Sequence, residues 1–313
     1  MSKYAFGVDI GGTTVKLGLF DKEANVLKKW EVVTSKENGG AQILPDVAAS
    51  IQKVMTEMNI AKEDVIGVGV GVPGPVDAKG TINKAVNLGW GVFNIPEVLG
   101  GLLDVPVKAG NDANVAAVGE MWQGGGKGYK DLVLLTLGTG IGGGIIVGGE
   151  MLTGSKGAAG EIGHMHVNDE ETECCGCGNK GCLEQYGSAT GIAKLAVKRL
   201  AKDDAPSVLR EKAHVSAKSV FDAVKENDPV AIEIAQEFGE YLGKGLATIA
   251  AVVNPEVFVI GGGVSKAGEI LFEYIRPVMM KHAFHACRNA ELRLATLDND
   301  AGIYGAAGLF LLN

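Results

Sequence analysis

Apolar and polar positions along the first part of the chain predict strands before helices. Tyr4–Asp9 and Val15–Phe20 are apolar, partly β-branched runs separated by IGGTT, which predicts a hairpin, and a third strand is expected around Asn25–Val33. Pro45–Asn59 carries apolar residues at helical spacing. Further buried strands are expected at Val65–Val72 and Val105–Ala109. Antiparallel strands followed by strands that alternate with a helix predict an α/β unit with a mixed sheet.

The second half repeats the opening pattern of strand, glycine loop and strand, at Leu132–Leu137 and Gly144–Val147. The other predicted elements are helices at Ala113–Trp122, Pro229–Val253 and Glu269–Phe284, a strand at Val257–Ile260, and an apolar helix at Gly302–Leu312 that packs against the first domain. Two α/β halves with a cleft between them are the simplest architecture for this order. The predicted domains are residues 1–112 with 301–313, and residues 113–300.

Length, charge and the uncharged stretches exclude several classes of protein. A chain of 313 residues suggests about two domains. Its net charge of −8 argues against a non-specific nucleic-acid binder, and we interpret the basic stretch Lys194–Lys202 as a solvated helix face. The uncharged stretch Leu132–Gly149 is long enough for a membrane span, but its many glycines predict strand, loop and strand instead. Without a leader-like start, we expect a cytoplasmic protein with no membrane partner.

Three glycine loops directly follow apolar strands, at Gly11–Thr14, Gly138–Gly144 and Gly261–Gly263. Glycine allows backbone N–H groups to approach phosphate oxygens, and ligands of open α/β sheets collect at the carboxyl ends of strands. Each loop alone is equally well explained as a tight turn. The three together indicate a nucleotide site.

One of these loops also satisfies the dinucleotide pattern G-x-G-x-x-G, through Gly138, Gly140 and Gly143. That pattern binds a dinucleotide only where the loop opens a helix. Here the loop leads into the strand-like IIVGG, so a nicotinamide-dependent enzyme is not expected. The P-loop pattern does not occur in the sequence.

Two aspartates follow predicted strands and are candidates for chemistry. Asp9 ends the first strand immediately before a glycine turn, where a carboxylate beside phosphate-binding amides suits Mg²⁺. Asp112 lies in GNDAN between a strand and a helix. It is either a helix N-cap, since Asn and Asp are good caps, or a general base aimed at a substrate hydroxyl.

The cysteines point to a metal. Cys175, Cys177 and Cys182 form C-x-C-x₄-C threaded with glycines, and His164 can complete a tetrahedral zinc site. Cys174 is adjacent and is the spare thiol. The segment His282–Cys287 has two histidines one helical turn apart, but without an obvious partner we interpret it as a helix surface.

The sequence strongly resembles the ROK family of sugar kinases and repressors, most closely its bacterial glucokinases. The segments that carry the resemblance are VDIGGTTVKLG, GVGVPGPVD, NLGW, NDANVAAVGEMW, TLGTGIGGGII, GAAGEIGH and CGCGNKGCLE. They occur in the family's order and cover nearly the whole chain. Because nothing precedes the first strand, the DNA-binding helices of the family's repressors are not expected here.

The resemblance implies an actin-like, RNase H-like α/β fold of two domains and ATP-dependent phosphorylation of a hexose at its 6-hydroxyl. Asp112 would be the general base, and Asp9 would hold Mg²⁺ through water. The implied nucleotide-binding residues are Gly11, Gly12, Thr13, Thr14, Gly138, Thr139 and Gly140 for the phosphates, and Gly261, Gly262 and Gly263 for adenosine. The implied sugar ligands are Gly74, Asn87, Asn111, Asp112, Glu161, His164 and Glu184. His164 would bind zinc with one ring nitrogen and the sugar with the other.

The expected substrates are therefore glucose and ATP, and the family resemblance also implies a homodimer. A kinase for another hexose, such as N-acetylmannosamine, fructose or allose, is the alternative within the family. A non-catalytic sugar sensor is the alternative outside catalysis, and the presence of Asp112 counts against it.

Overall fold

Two α/β units make up the fold in the computed structural model, which describes residues 3–312. The first unit consists of the chain up to Lys130, of Gly144–Gly160, and of the chain from Leu297 onward. The second unit consists of Asp131–Gly143 and Glu161–Thr296.

The helices and strands follow the order that the sequence predicts, with several additions. The strands are β1 (Tyr4–Ile10), β2 (Thr14–Asp21), β3 (Val26–Val33), β4 (Val65–Val72), β5 (Thr81–Ile82), β6 (Phe93–Asn94), β7 (Val107–Asn111), β8 (Leu132–Leu137), β9 (Ile141–Val147), β10 (Glu150–Met151), β11 (Val257–Gly261) and β12 (Glu291–Leu294). The helices are α1 (Ile43–Glu57), α2 (Ile95–Leu103), α3 (Asp112–Gln123), α4 (Glu184–Gly187), α5 (Ala189–Leu200), α6 (Ala217–Lys225), α7 (Pro229–Val253), α8 (Ile270–His282) and α9 (Ala301–Leu311).

The first unit contains the predicted mixed sheet, in the order β3-β2-β1-β4-β7. The strands β1, β2 and β3 are antiparallel, and β4 runs parallel to both β1 and β7. The predicted hairpin is confirmed, with Ile10 opposite Val15 across the glycine turn. The strand predicted at Val105–Ala109 lies two residues further along, at Val107–Asn111, and so ends directly at the following helix.

The last helix, α9, packs against the first sheet, as the sequence predicts. A Cβ at Gly7 of β1 would collide with the carbonyl of Ile303, and one at Gly69 of β4 would collide with that of Ala306. Helix backbone and strand backbone therefore touch without side chains between them. The helix α3 also packs closely against α9, since a Cβ at Gly119 of α3 would collide with the carbonyl of Ala301. For this reason α3 falls in the first unit, whereas the sequence-based division placed residues 113–130 in the large domain.

The second unit is built on buried parallel strands. Its strands β8, β11 and β12 lie side by side, and β11 runs parallel to both of its neighbours. Leu132 and Phe258 are fully buried, as expected for a strand covered on both faces. The long helix α7 starts after the N-cap Asp228, whose carboxylate accepts from the Ala231 N–H at 3.0 Å.

Two details of the sequence prediction need correction. The helix α2 was not predicted, because Gly100 and Gly101 interrupt its pattern, yet Asn94 caps it by accepting from the Glu97 N–H. The interpretation of His282–Cys287 as one helix surface is wrong. The helix α8 ends at His282, and His285–Cys287 is a separate 3-10 turn. Among residues 3–312, no helix has both the length and the apolar character needed to cross a bilayer.

Candidate active site

The first unit brings two carboxylates together at the end of its sheet. Asp9 lies near the end of β1, and Asp112 is the first residue of α3, directly after β7. Burial and, to a smaller extent, the negative charge of Asp112 raise the pKa of Asp9 to about 6, against the opposing effect of Lys16. The two aspartates are therefore close enough for the charge on one to oppose ionisation of the other.

The N-cap of α3 is Asn111 and not Asp112, so the capping interpretation of Asp112 is wrong. The Asn111 Oδ1 atom accepts from the backbone N–H groups of Ala113 and Asn114 at 3.0 and 3.1 Å. Asp112 is the first helical residue, and its Oδ1 accepts from the Ala113 N–H at 2.8 Å. Asn and Asp are both good N-cap residues, so the residue type does not decide between them. The cap is Asn111 because the first helical residue is Asp112.

Two other predicted sugar ligands of the first unit lie on loops. Asn111 donates through Nδ2 to the carbonyl of Gly74 at 3.2 Å, so these two residues are in contact. Gly74 has φ of 109°, and a Cβ there would lie 2.5 Å from the Lys84 carbonyl oxygen, so both backbone conformation and space require glycine. Asn87 lies in the 3-10 turn Val86–Leu88, and its side chain is exposed.

The glycine turn of the first unit, Gly11–Thr14, is braced by backbone hydrogen bonds. The Gly11 N–H donates to the Thr14 carbonyl. Thr34 contacts the turn twice, donating its N–H to the Thr13 carbonyl and its hydroxyl to the Gly11 carbonyl. A Cβ at Gly12 would meet only the Lys36 Nζ atom, at 3.6 Å. Gly12 therefore faces open space beside an ammonium group, as a phosphate-binding turn requires. The sequence analysis missed this lysine, because no motif marks it.

The second unit gathers the predicted metal ligands. The ligand atoms of His164, Cys175, Cys177 and Cys182 all lie within 4.8 Å of one another. The Cys177 and Cys182 sulfurs are 3.7 Å apart, and the Cys175 sulfur is 3.7 Å from His164 Nδ1. Tetrahedral zinc with Zn–S bonds of about 2.3 Å requires sulfurs about 3.8 Å apart, so the arrangement fits a Cys₃His site. Cys174 is exposed and lies outside this cluster.

Protonation of the cluster also bears on metal binding. Burial and the hydrogen bond to Glu184 together raise the pKa of Cys175 to about 12. The thiol is therefore protonated near neutral pH in the metal-free protein. A metal ion has to displace that proton, which couples its affinity to pH.

Two glutamates flank the histidine of the cluster. Glu161 lies 3.9 Å from His164 Nε2, and Glu184 lies 3.8 Å from His164 Nδ1. The two ring nitrogens therefore face different partners, with Nδ1 on the cysteine side. This arrangement leaves Nε2 and the Glu161 carboxylate together as polar groups for a ligand.

The second glycine loop, predicted at Gly138–Gly144, is shorter: Gly138–Ile141 joins β8 to β9, and Ile141 is already the first residue of β9. The prediction that this loop leads into a strand is confirmed, and a dinucleotide fingerprint would instead require it to open a helix. The Gly138 N–H donates to the Gly140 carbonyl at 3.0 Å, which closes the turn on itself. A Cβ at Gly138 would meet only the Gly140 oxygen, at 4.0 Å, so packing does not require glycine at position 138.

The third glycine loop, Gly261–Gly263, follows β11. Gly262 has φ of 83°, and its Cβ would lie 2.7 Å from the backbone of Leu137, so this loop touches the end of β8. A Cβ at Gly263 would meet nothing within 4 Å. Turn geometry thus explains Gly262 but not Gly263, whose open side is available to a ligand.

Comparison with known proteins places the chain among sugar kinases. The sequence matches the ROK family over residues 5–312. It is 42% identical to a glucokinase of Halalkalibacterium halodurans over 98% of this chain and 94% of that protein, and 36% identical to a glucokinase of Thermotoga maritima over 97% and 96%. A ROK family glucokinase from Streptomyces griseus, solved with glucose and AMPPNP, superposes with a TM-score of 0.75 at 34% identity over 99% of this chain and 100% of that one. The predicted actin-like α/β fold of sugar kinases is confirmed.

Proposed function

The chain belongs to the ROK family, and on that premise we propose that it transfers the γ-phosphoryl group of ATP to the 6-hydroxyl of glucose. The glucokinases to which it is similar support this assignment. The observation that carries it is the pair of aspartates in the first unit, where Asn111, and not Asp112, is the N-cap of α3 and the charge of Asp112 acts on Asp9.

In the proposed mechanism Asp112 is the general base. It takes the proton from the sugar hydroxyl as that oxygen attacks the γ-phosphorus, while the bond from phosphorus to the β-phosphate oxygen breaks and ADP leaves. Asp9 would hold Mg²⁺, and the ion when bound would neutralise charge on the phosphates. The amides of Gly11–Thr14 and Gly138–Gly140 hold the phosphates, and Gly261–Gly263 lines the adenosine site. Catalysis then depends mainly on positioning and on charge neutralisation.

The proposed sugar ligands are hydrogen-bonding groups suited to a polyol. They are Gly74, Asn87, Asn111, Asp112, Glu161, His164 and Glu184. A sugar lacking one hydroxyl leaves a polar protein group without its partner, and this loss discriminates strongly between hexoses. His164 would bind structural zinc through Nδ1, which faces Cys175, and the sugar through Nε2. The metal would thereby fix the orientation of a sugar-binding ring. A homodimer in the cytoplasm remains a prediction from the family resemblance.

The test is ATP-dependent phosphorylation across a panel of hexoses, with the phosphorylated position identified by NMR. We expect turnover of glucose far above that of N-acetylmannosamine, fructose and allose, with glucose 6-phosphate as the product. Preference for another hexose would retain the mechanism and change the substrate. Tight glucose binding without turnover of any hexose would identify a sugar sensor and overturn the proposal.

A further inference from the structure

The carboxylate of Glu184 reaches two different parts of the second unit. Its Oε1 atom accepts from the Cys175 thiol at 2.9 Å and lies 3.8 Å from His164 Nδ1. Its Oε2 atom accepts from the backbone N–H of Ile141 at 3.2 Å. One side chain therefore joins the cysteine–histidine cluster to the glycine loop Gly138–Ile141, although 43 residues of sequence separate Glu184 from Ile141.

The glycine loop is shaped around this carboxylate. A Cβ at Gly140 would overlap the Oε2 atom of Glu184. Gly140 is not among the glycines with positive φ, so its backbone conformation does not require glycine. A larger residue at position 140 would therefore require the Glu184 carboxylate to move.

The other end of the loop is held by the same short segment of chain. The Ala189 N–H donates to the carbonyl of Gly138 at 2.8 Å. Ser188, which is buried, caps α5 by accepting from the Gly191 N–H at 3.0 Å and so fixes the position of Ala189. Residues 184 to 189 thus brace both the first and the last residue of the loop.

We propose that Glu184 is a positioning residue for the nucleotide phosphates, in addition to its role at the sugar. This inference rests on the proposed function, in which Gly138–Gly140 holds phosphate. Hydrogen bonds from backbone amides to a carboxylate are stronger than those between neutral groups, so Glu184 keeps the loop in one conformation before ATP arrives. Without it the loop becomes ordered only on binding, which weakens affinity.

A role in positioning and a role of charge alone predict opposite results. A negative carboxylate near phosphates is unfavourable by Coulomb's law. If charge were its whole effect, both Glu184→Ala and Glu184→Gln would bind nucleotide more tightly than the parent protein. If Glu184 orders the loop, Glu184→Ala binds more weakly, while Glu184→Gln keeps an acceptor for the Ile141 N–H and retains most of the affinity.

The experiment measures the dissociation constant of Mg²⁺–AMPPNP by calorimetry without sugar, so that turnover and sugar binding do not enter. We expect the constant to rise about tenfold in Glu184→Ala, the effect of losing one hydrogen bond to a charged group. Glu161→Ala is the matched control. It removes another glutamate beside His164, whose carboxylate lies on the Nε2 side of the ring, whereas Glu184 lies on the Nδ1 side and bonds to the loop. Nucleotide affinity should therefore stay within about twofold while glucose affinity falls.

A second variant tests the same link without removing the glutamate. Gly140→Ala should push the flexible end of Glu184 away from Ile141, weaken AMPPNP binding in the same direction, and speed deuterium exchange of the peptide containing Ile141. Unchanged AMPPNP affinity and unchanged deuterium exchange in both Glu184→Ala and Gly140→Ala would overturn this inference and leave the proposed function standing. Tighter binding by both Glu184 variants would also overturn it. A parent protein that binds no AMPPNP would overturn the proposed function together with it.

Discussion

The glycine loops of the two units have the same order of strand, loop and strand but different supports. Gly11–Thr14 in the first unit is held by backbone hydrogen bonds and by Thr34. Gly138–Ile141 in the second unit is held by Glu184, which in turn contacts a cysteine–histidine cluster. The first loop is therefore braced by the neighbouring strand backbone, whereas the second is also braced by a side chain that contacts the candidate metal ligands.

Substitutions in the two units should therefore have different effects. In the first unit Asp9 lies near the end of β1 and Asp112 is the first residue of α3. Their replacement should change turnover more than structure. In the second unit the groups proposed to bind sugar also hold the local fold, so their replacement should change affinity and metal content together.

The largest expected effect belongs to Asp112→Asn. Loss of a general base should lower kcat by about 10²- to 10⁴-fold, while glucose affinity changes only a few-fold because asparagine keeps the size and polarity of the side chain. Steady-state kinetics and glucose calorimetry measure the two quantities. A kcat within tenfold of the parent value would show that Asp112 is not the base.

A smaller effect is expected from Cys177→Ser in the second unit. It should remove zinc and raise the KM for glucose by about 10- to 100-fold, since His164 then loses the partner that orients it. Metal analysis and kinetics provide the measurement. Cys174→Ser is the matched control, because that thiol is exposed and outside the cluster, and it should leave both values unchanged. Unchanged zinc and KM in Cys177→Ser would contradict the role of the cluster.

The smallest effect concerns the stability of the first unit and its dependence on pH. The pKa of Asp9 is raised from 3.8 to about 6 in the folded protein, so folding disfavours its charged form. Well below pH 3.8 the group is protonated in both states and has no effect. As pH rises from 3.8 to about 6, the unfolded state gives up its proton first, and above this range the folded state is destabilised by about 1–2 kcal/mol after allowance for partial solvent screening.

Asp9→Asn should therefore stabilise the ligand-free protein at pH 7.5 by that amount and have little effect near pH 3.5, although it weakens Mg²⁺-dependent turnover. Urea unfolding of both proteins at the two pH values measures the difference. If the two proteins had the same free energy of unfolding at pH 7.5, the charged Asp9 carboxylate would not destabilise the folded state.

Local pattern was sufficient to predict most of the fold. The hairpin at Gly11 and the cysteine spacing around Cys177 both lie within short stretches of sequence, so their geometry follows from turn and ligand chemistry. The helix α2 was not predicted because Gly100 and Gly101 have low helix propensity. In the folded protein the Asn94 cap and the buried leucines stabilise this helix despite the two glycines.

Long-range polar contacts could not be predicted from the sequence. Glu184 reaches Ile141 across 43 residues. The buried carboxylate of Glu120 accepts from the Gly125 N–H and, across 177 residues, from the Leu297 N–H. No periodicity or spacing marks such pairs, because they form only when separate elements pack. The contacts that link the glycine loop to the cluster are of this kind.

The position of α9 in the chain also has a consequence for synthesis. This helix covers Gly7 of β1 and Gly69 of β4, yet it begins only at Ala301, after both segments of the second unit. During translation the first sheet emerges early and stays incomplete until the ribosome has also made the second unit. A nascent chain that stalls before residue 301 exposes the bare face of that sheet, which makes it a target for chaperones and proteases even when its second unit has already folded.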